Sequence, residues 1–318
     1  MKKKILILGA SGFIGFNCLL HFANNKKYKH YDIVGTYLKN KPKKIKGVTF
    51  IKIDLTDKNM SQSIFKSTEI LVQAAACTTG AKDIVNKPFM HVNDNVVMNS
   101  FVTKFSHKYK IPRVIIFSCT VMYKSSKKPL REIDFDPKEP MYEKYFGAGW
   151  MKVFVEKMSE FYSRFKITKF TLIRHSNIYG PFDKFDLEKS HVFGATINKV
   201  SNTKESFLNV WGDGSEKRNF LYISDLISFI DLVLKKQKKY FEIYNLGSDR
   251  SISINNLVLN IIKASRKKLK IKNLINKPTL KTSIEISSSK AKREIGWNQK
   301  VSLKEGILKT LNWYKNNL

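Results

Sequence analysis

The chain has 318 residues, enough to bury a full α/β core and a second lobe without disulfides or metals as staples. Its 58 Lys and Arg against 26 Asp and Glu give a net charge of +32, but the excess is mostly lysine on solvated stretches (39–46, 235–239, 263–272). Without the aromatic interleaving of a base-stacking surface, this reads as compositional bias and not as a nucleic-acid site, although such a field draws polyanionic nucleotides toward a cleft.

The first element is the apolar run KILILGASGFIG (4–15), which enters Gly9, Gly12 and Gly15. The spacing predicts a strand turning into a helix that holds a dinucleotide. A pyrophosphate needs backbone N–H donors and the positive end of a helix dipole, and it reaches them only where no Cβ intervenes. MKKK followed by ILILGA also mimics a secretory leader, yet three glycines weaken such a helix and no small-residue cleavage site follows cleanly. The turn makes Gly9, Ser11, Gly12, Phe13, Ile14 and Gly15 candidate cofactor contacts.

Short apolar runs then alternate with longer amphipathic ones, the pattern of βαβ units around a parallel sheet. Strands are expected at KILILG (4–9), DIVGTYL (32–38), TFIKI (49–53), EILVQAA (69–75), RVIIFS (113–118) and FTLIRHS (170–176). Val153, Val155, Met158 and Phe161 predict a helix over about 146–164. After Gly180-Pro181 turn residues multiply. The expected fold is a Rossmann-like doubly wound parallel α/β sheet over 1–179, rejoined by some later segments, with a smaller C-terminal α/β substrate lobe over 180–318.

At the end of the second strand, GTYLKNK offers Thr36, Lys39 and Lys41 where NAD enzymes tend to place an acid for the adenosine ribose, so NADP is expected ahead of NAD. No apolar run approaches the ~18 residues of a membrane span. Cys18, Cys77 and Cys119 lack metal-ligand spacing and suit a reducing compartment, so the expectation is a cytoplasmic protein with neither metal nor membrane partner.

Together these pieces resemble the extended short-chain dehydrogenase/reductase superfamily, the NAD-dependent epimerases, dehydratases and reductases of nucleotide sugars. The landmarks are the three glycines, Asp54 in IKIDLTD, VQAAA, FSCTVMY, RHSNIYGP and WGDGSEKRNFLYISD. The resemblance implies that Asp54, with Leu55, lies beside the adenine and Ala75 and Ala76 under the cofactor. It also implies a nucleotide-sugar substrate and a homodimer.

Residues 177–191, NIYGPFDKFDLEKSH, are similar to the GDP-L-fucose synthase-like enzymes, which epimerise a GDP-4-keto-6-deoxymannose at C3 and C5 and reduce C4 with NADPH. That likeness implies His191 as a general acid or base, Asn177, Lys199 and Trp211 as nucleotide-sugar contacts, and Arg218 as a pyrophosphate clamp. Residues 277–287 and IGW at 295–297 are similar to the C-terminal stretch of those enzymes, with Leu280 where a glycine is usual. Arg218 also has a plainer reading, a surface ion pair with Glu216 or Asp213; His191 and Trp211 have theirs as structural residues.

The superfamily carries Tyr-x-x-x-Lys, in which the lysine lowers the tyrosine pKa so that the phenol trades a proton with a sugar oxygen. Lys152 matches the lysine, which implies that it orients the nicotinamide ribose, but Ala148 stands in the tyrosine's place. Three options stay open: a relocated tyrosine, with Tyr145 nearest, proton transfer through a hydroxyl or thiol at 118–120, or lost redox activity. Counted from the strand side, Ser118 polarises the substrate and Thr120 takes the place of a catalytic cysteine. Counted back from Tyr123, Cys119 takes the serine's place, and with His191 it forms an acid–base pair.

The reading is an NAD(P)-dependent nucleotide-sugar epimerase/reductase. An NAD-dependent NDP-sugar 4-epimerase or dehydratase, and a noncatalytic dinucleotide- or RNA-binding protein, are the alternatives.

Overall fold

The computed structural model describes residues 2–318 apart from 79–85, 127, 188, 189, 249, 278 and 281. Every apolar run expected as a strand is one: β1 (Lys4–Leu8), β2 (Asp32–Tyr37), β3 (Val48–Lys52), β4 (Thr68–Gln73), β5 (Arg113–Cys119) and β6 (Lys169–His175). Shorter strands follow, β7 (Asn177–Tyr179), β8 (Phe207–Trp211), β9 (Lys217–Arg218) and β10 (Phe220–Tyr222), then β11 (Phe241–Leu246), β12 (Ile252–Ser253) and β13 (Lys270–Leu274). The helices are α1 (Phe13–Asn24), α2 (Asn93–Lys108), α3 (Phe146–Ser163), α4 (Val192–Asn202), α5 (Ile223–Lys236), α6 (Ile254–Ser265) and α7 (Leu303–Asn317).

β11 returns from the later half of the chain to pair with β6, completing a seven-stranded parallel sheet in the order β3-β2-β1-β4-β5-β6-β11. Strand alternation divides its core in two. Ile5 and Ile7 pack with Leu19 and Phe22 of α1 and Leu226 and Phe229 of α5, whereas Leu6 and Leu8 face Val102 and Phe105 of α2 and Met151 and Val155 of α3. Helices on both faces explain why the strands are apolar throughout instead of alternating. Order reverses between β1 and β4, and in such sheets a crevice opens at the carboxyl ends of the strands on either side of that point.

The rest of the later half forms a smaller α/β lobe in which β8 pairs with β13 and α4, α6 and α7 pack together. Two short pairs, β7 with β10 and β9 with β12, carry Asn177 and Arg218. Among the described residues no helix is long and apolar enough to cross a membrane.

Candidate active site

A single cleft of about 650 Å³ runs between the glycine turn, the ends of β4, β5 and β6, the start of α3 and the small lobe. Gly12, Phe13, Ile14, Ala75, Ala76, Cys119, Thr120, Tyr145, Lys152, Asn177, His191, Lys199, Trp211 and Arg218 all border it. The structure therefore brings together residues up to two hundred positions apart.

The turn is built as its glycines require. Gly9 has φ +74°, and a Cβ there would lie 2.5 Å from the Ala75 Cα; at Gly15 a Cβ would lie 2.2 Å from the Gly9 carbonyl. No side chain caps α1, so the first-turn N–H groups open beside Gly12. A cradle that Cβ atoms would fill, at an uncapped helix N-terminus, fits a dinucleotide pyrophosphate.

Two expected cofactor contacts turn their side chains into the interior. Thr36 is buried and its hydroxyl accepts from the Gly9 N–H at 3.1 Å, so it braces the turn from beneath and is closed off from a ligand. The Leu55 side chain belongs to the core with Met60 and Phe65. Asp54, Lys39 and Ser11 are exposed; Asp54 accepts from the Thr56 N–H at 2.8 Å and hydroxyl at 2.6 Å, which together hold its carboxyl below the usual range.

Beneath the cleft lies a buried charge network. Arg174 on β6 donates from Nε and Nη2 to Glu156 on α3 at 2.9 and 2.6 Å, and from Nη1 to the Tyr123 hydroxyl at 2.7 Å. Ser118 is 1% exposed and donates to Glu156 Oε1 at 2.7 Å. Ser118 borders the cleft, but in this arrangement its hydroxyl proton goes to Glu156 and not to a ligand. Cys119 and Thr120, half-buried at the strand end, border the cleft beside it.

Lys152 donates from Nζ to the Phe117 carbonyl at 2.8 Å. Tyr145 ends a single 3₁₀ turn ahead of α3 and borders the cleft, close to Thr282, Arg218 and Cys119. Burial pushes its pKa up, against the pull of Arg218. On the next turn Ala148 gives the cleft only a methyl group.

In the small lobe His191 sits immediately before α4, where desolvation, Lys184 and His91 lower its pKa and favour the neutral ring. Lys199 donates to the Asn209 carbonyl at 3.3 Å, and burial lowers its pKa. Arg218 donates to the carbonyls of Lys217, Thr282 and Leu280, and no ion pair joins it to Glu216. Those bonds bind it to the 277–287 stretch, of which Pro278 and Lys281 lie outside the described residues, as do Glu188 and Lys189 of the loop before His191.

Three cleft residues escaped the sequence reading. Asp183, in the loop leading to His191, is pushed up to about 7 by burial. Glu216 borders the cleft with a buried Oε2 that has no hydrogen-bond partner. His175, the last residue of β6, borders the cleft with its pKa lowered to about 4 by burial, Lys152 and His191. Gly-Pro loops and acid-rich turns give no sign of burial, and a histidine closing an apolar strand looks like any strand end.

The His175 shift has a thermal consequence. Its folded pKa lies below the ordinary ~6.5, so the unfolded chain binds more protons between the two values. Its contribution to stability is complete above about 6.5 and is lost as pH falls toward 4, by up to about 3 kcal/mol. Asp183 titrates in the opposite sense, so urea unfolding of wild type against His175→Gln from pH 7.5 to 4.5 isolates the histidine. The variant should show the shallower loss toward acid; equal slopes would refute the assignment.

A doubly wound sheet with a glycine turn and a second lobe closing over its carboxyl edge defines a dinucleotide-binding protein with room for a second ligand. Residues 5–247 match the model of the NAD dependent epimerase/dehydratase family, and the chain belongs to that family. It is 26% identical to UDP-glucuronate 4-epimerase of Thermodesulfobacterium geofontis over 327 residues, covering 98% of this chain and 96% of that protein. It is 29% identical to GDP-L-fucose synthase of Sinorhizobium fredii over 277 residues, 84% and 86% of the two chains. The solved UDP-glucuronic acid 4-epimerase of Bacillus cereus, in complex with UDP-glucuronic acid and NAD, superposes with a TM-score of 0.83 at 22% identity, over 98% of this chain and 99% of that one.

Proposed function

We propose that this protein is an NADP(H)-dependent epimerase/reductase acting on a GDP-linked deoxyhexose, with the dinucleotide on the Gly9–Gly15 turn and the sugar nucleotide reaching into the small lobe. The observation that carries this is the continuity of one cleft from the Gly12 helix start to Arg218. A bound nicotinamide supplies or accepts a hydride. Lys152 orients its ribose, Cys119 and Thr120 polarise the sugar oxygen, and His191 exchanges ring protons. Asn177, Lys199 and Trp211 hold the nucleotide sugar, and Arg218 grips its pyrophosphate with the N–H groups that the carbonyls leave over.

Glu216 supports guanine as the base. A buried carboxylate oxygen without a donor is costly, and guanine alone among the bases offers two adjacent donors, N1–H and N2–H, to a carboxylate. Uracil and thymine offer one N–H between two carbonyls, which a carboxylate repels. The exposed Lys39 beyond β2 supports a 2′-phosphate, and the free thiols Cys18, Cys77 and Cys119 fit a reducing cytoplasm. An NAD-dependent 4-epimerase is the second reading, favoured by the nearly full-length likeness to the UDP-glucuronate enzyme.

Calorimetry on the purified chain tests both. NADPH should bind ahead of NADH, and GDP ahead of UDP and dTDP by a factor of roughly 10–100, the worth of one bidentate base contact of about 1–3 kcal/mol. Glu216→Gln should narrow that gap. Tighter binding of UDP with NAD would establish the second reading instead.

The homodimer has a surface to form on. Trp150, Phe154 and Phe161 are exposed along α3 at spacings that keep them within one helical stripe, and Phe165 just beyond its end and Val97 of α2 are exposed too. Sedimentation equilibrium should give twice the chain mass, and the double variant Trp150→Asp, Phe154→Asp should give the single mass. A wild type that stays monomeric at tens of micromolar would rule this surface out.

A further inference from the structure

Ala148 removes the phenol that the family uses for proton exchange, while Tyr145, the nearest tyrosine, lies toward Thr282 and Arg218 on the small-lobe side of the cleft. The question is which group near Lys152 has a free lone pair. Register answers it. In parallel strands directly paired residues point to one face, and the pairs run Ser118 with Arg174, then Cys119 with His175. Ser118 and Arg174 both turn to Glu156 on α3. Cys119 and His175 therefore turn together to the other face, at the carboxyl ends of β5 and β6, where both border the cleft.

The His175 tautomer is set by its neighbour. Nδ1 lies 2.7 Å from the Ser176 carbonyl, which only accepts, so Nδ1 carries the proton and Nε2 holds the lone pair. Nε2 has no partner among the described residues and is not sealed from the cleft. The ring is fixed edge-on to Phe117, 6.1 Å between centroids, and Phe117 is also the residue whose carbonyl holds Lys152. Thus an oriented neutral base and a thiol, both near Lys152, border the same cleft as Ala148.

We propose that His175 exchanges the proton of the sugar hydroxyl through Nε2, in place of the phenol absent at 148, with the Cys119 thiol as the second hydrogen-bond donor to that oxygen. This rests on the dinucleotide and sugar reading above. In the oxidative direction the sugar C–H electron pair leaves as hydride to the oxidised nicotinamide, the O–H proton passes to Nε2, and the O–H pair closes the C=O bond. The reductive direction runs the same transfers backward, with the imidazolium returning its proton.

The first test needs no turnover. Imidazole nitrogen correlations in ¹⁵N-histidine-labelled protein should show one ring as the Nδ1–H tautomer and lose that signal in His175→Gln; an Nε2–H tautomer for His175 would overturn the proposal. The second follows nicotinamide absorbance with NADPH and GDP-4-keto-6-deoxymannose, and with NAD and UDP-glucuronic acid. His175→Gln and His175→Ala should keep NADPH affinity within about threefold while hydride transfer falls about 10²–10⁴-fold, and added imidazole should partly rescue His175→Ala. Wild-type protein that binds no dinucleotide overturns the functional reading as well. Protein that binds it, yet transfers hydride to neither sugar, overturns the substrate reading, and loss of transfer in Tyr145→Phe while His175→Gln retains it overturns the histidine assignment alone.

Discussion

Replacing Glu156 by alanine is expected to remove about 3–5 kcal/mol of folding stability, the usual cost of deleting one partner of a buried ion pair, and to lower Tm by roughly 4–8 °C for a chain of this size. Glu156 is 3% exposed and takes hydrogen bonds from Arg174 Nε and Nη2 and from Ser118. Without it the Arg174 guanidinium stays buried between β6 and α3, keeping only the Tyr123 hydroxyl, the Glu132 carbonyl and its stacking on Tyr123 and Phe135. Glu156→Gln, which retains an acceptor oxygen, should lose less. Thermal and urea unfolding measure both, and an alanine variant within 1 kcal/mol of wild type would show that the network contributes little.

Gly15→Ala is expected to abolish dinucleotide binding at concentrations that saturate wild type, a loss of at least about 100-fold. The added methyl would stand 2.2 Å from the Gly9 carbonyl, so helix and strand must separate at the turn. Two charge-assisted N–H contacts to a pyrophosphate, at about 1.5–3 kcal/mol each, then lose their geometry. Nicotinamide fluorescence on titration with NADPH reports the affinity, and circular dichroism checks that the variant is folded. Retained affinity in a folded variant would mean that the dinucleotide does not rest on this turn.

Local pattern carried much of this structure. Unbroken apolar runs fixed six strands because a sheet covered on both faces demands them, and the spacing of Gly9, Gly12 and Gly15 marked the turn because L-residues do not fit there. What stayed hidden depends on pairing between distant segments. Whether Ser118 spends its hydroxyl on the interior is a question of pleat, decided by where β5 meets β6 and by the pull of Glu156. Thr36 looked like a ribose contact, yet it serves Gly9, a partner 27 residues earlier. The chemistry of Glu216 and His175 comes from burial and from neighbours, which composition does not reveal.

The return of β11 to the large sheet also bears on how this protein can be taken apart. The chain leaves the nucleotide-binding half after β6, enters the second half, and comes back to lay its last long strand along the first. A cut near residue 180 would strip β6 of its outer neighbour and leave a raw, sticky edge of unpaired amides and carbonyls on an apolar sheet. Gene fragments divided there should therefore clump when made singly and become tractable only when made together, so modular swapping of the smaller lobe must leave β11 with the half it completes.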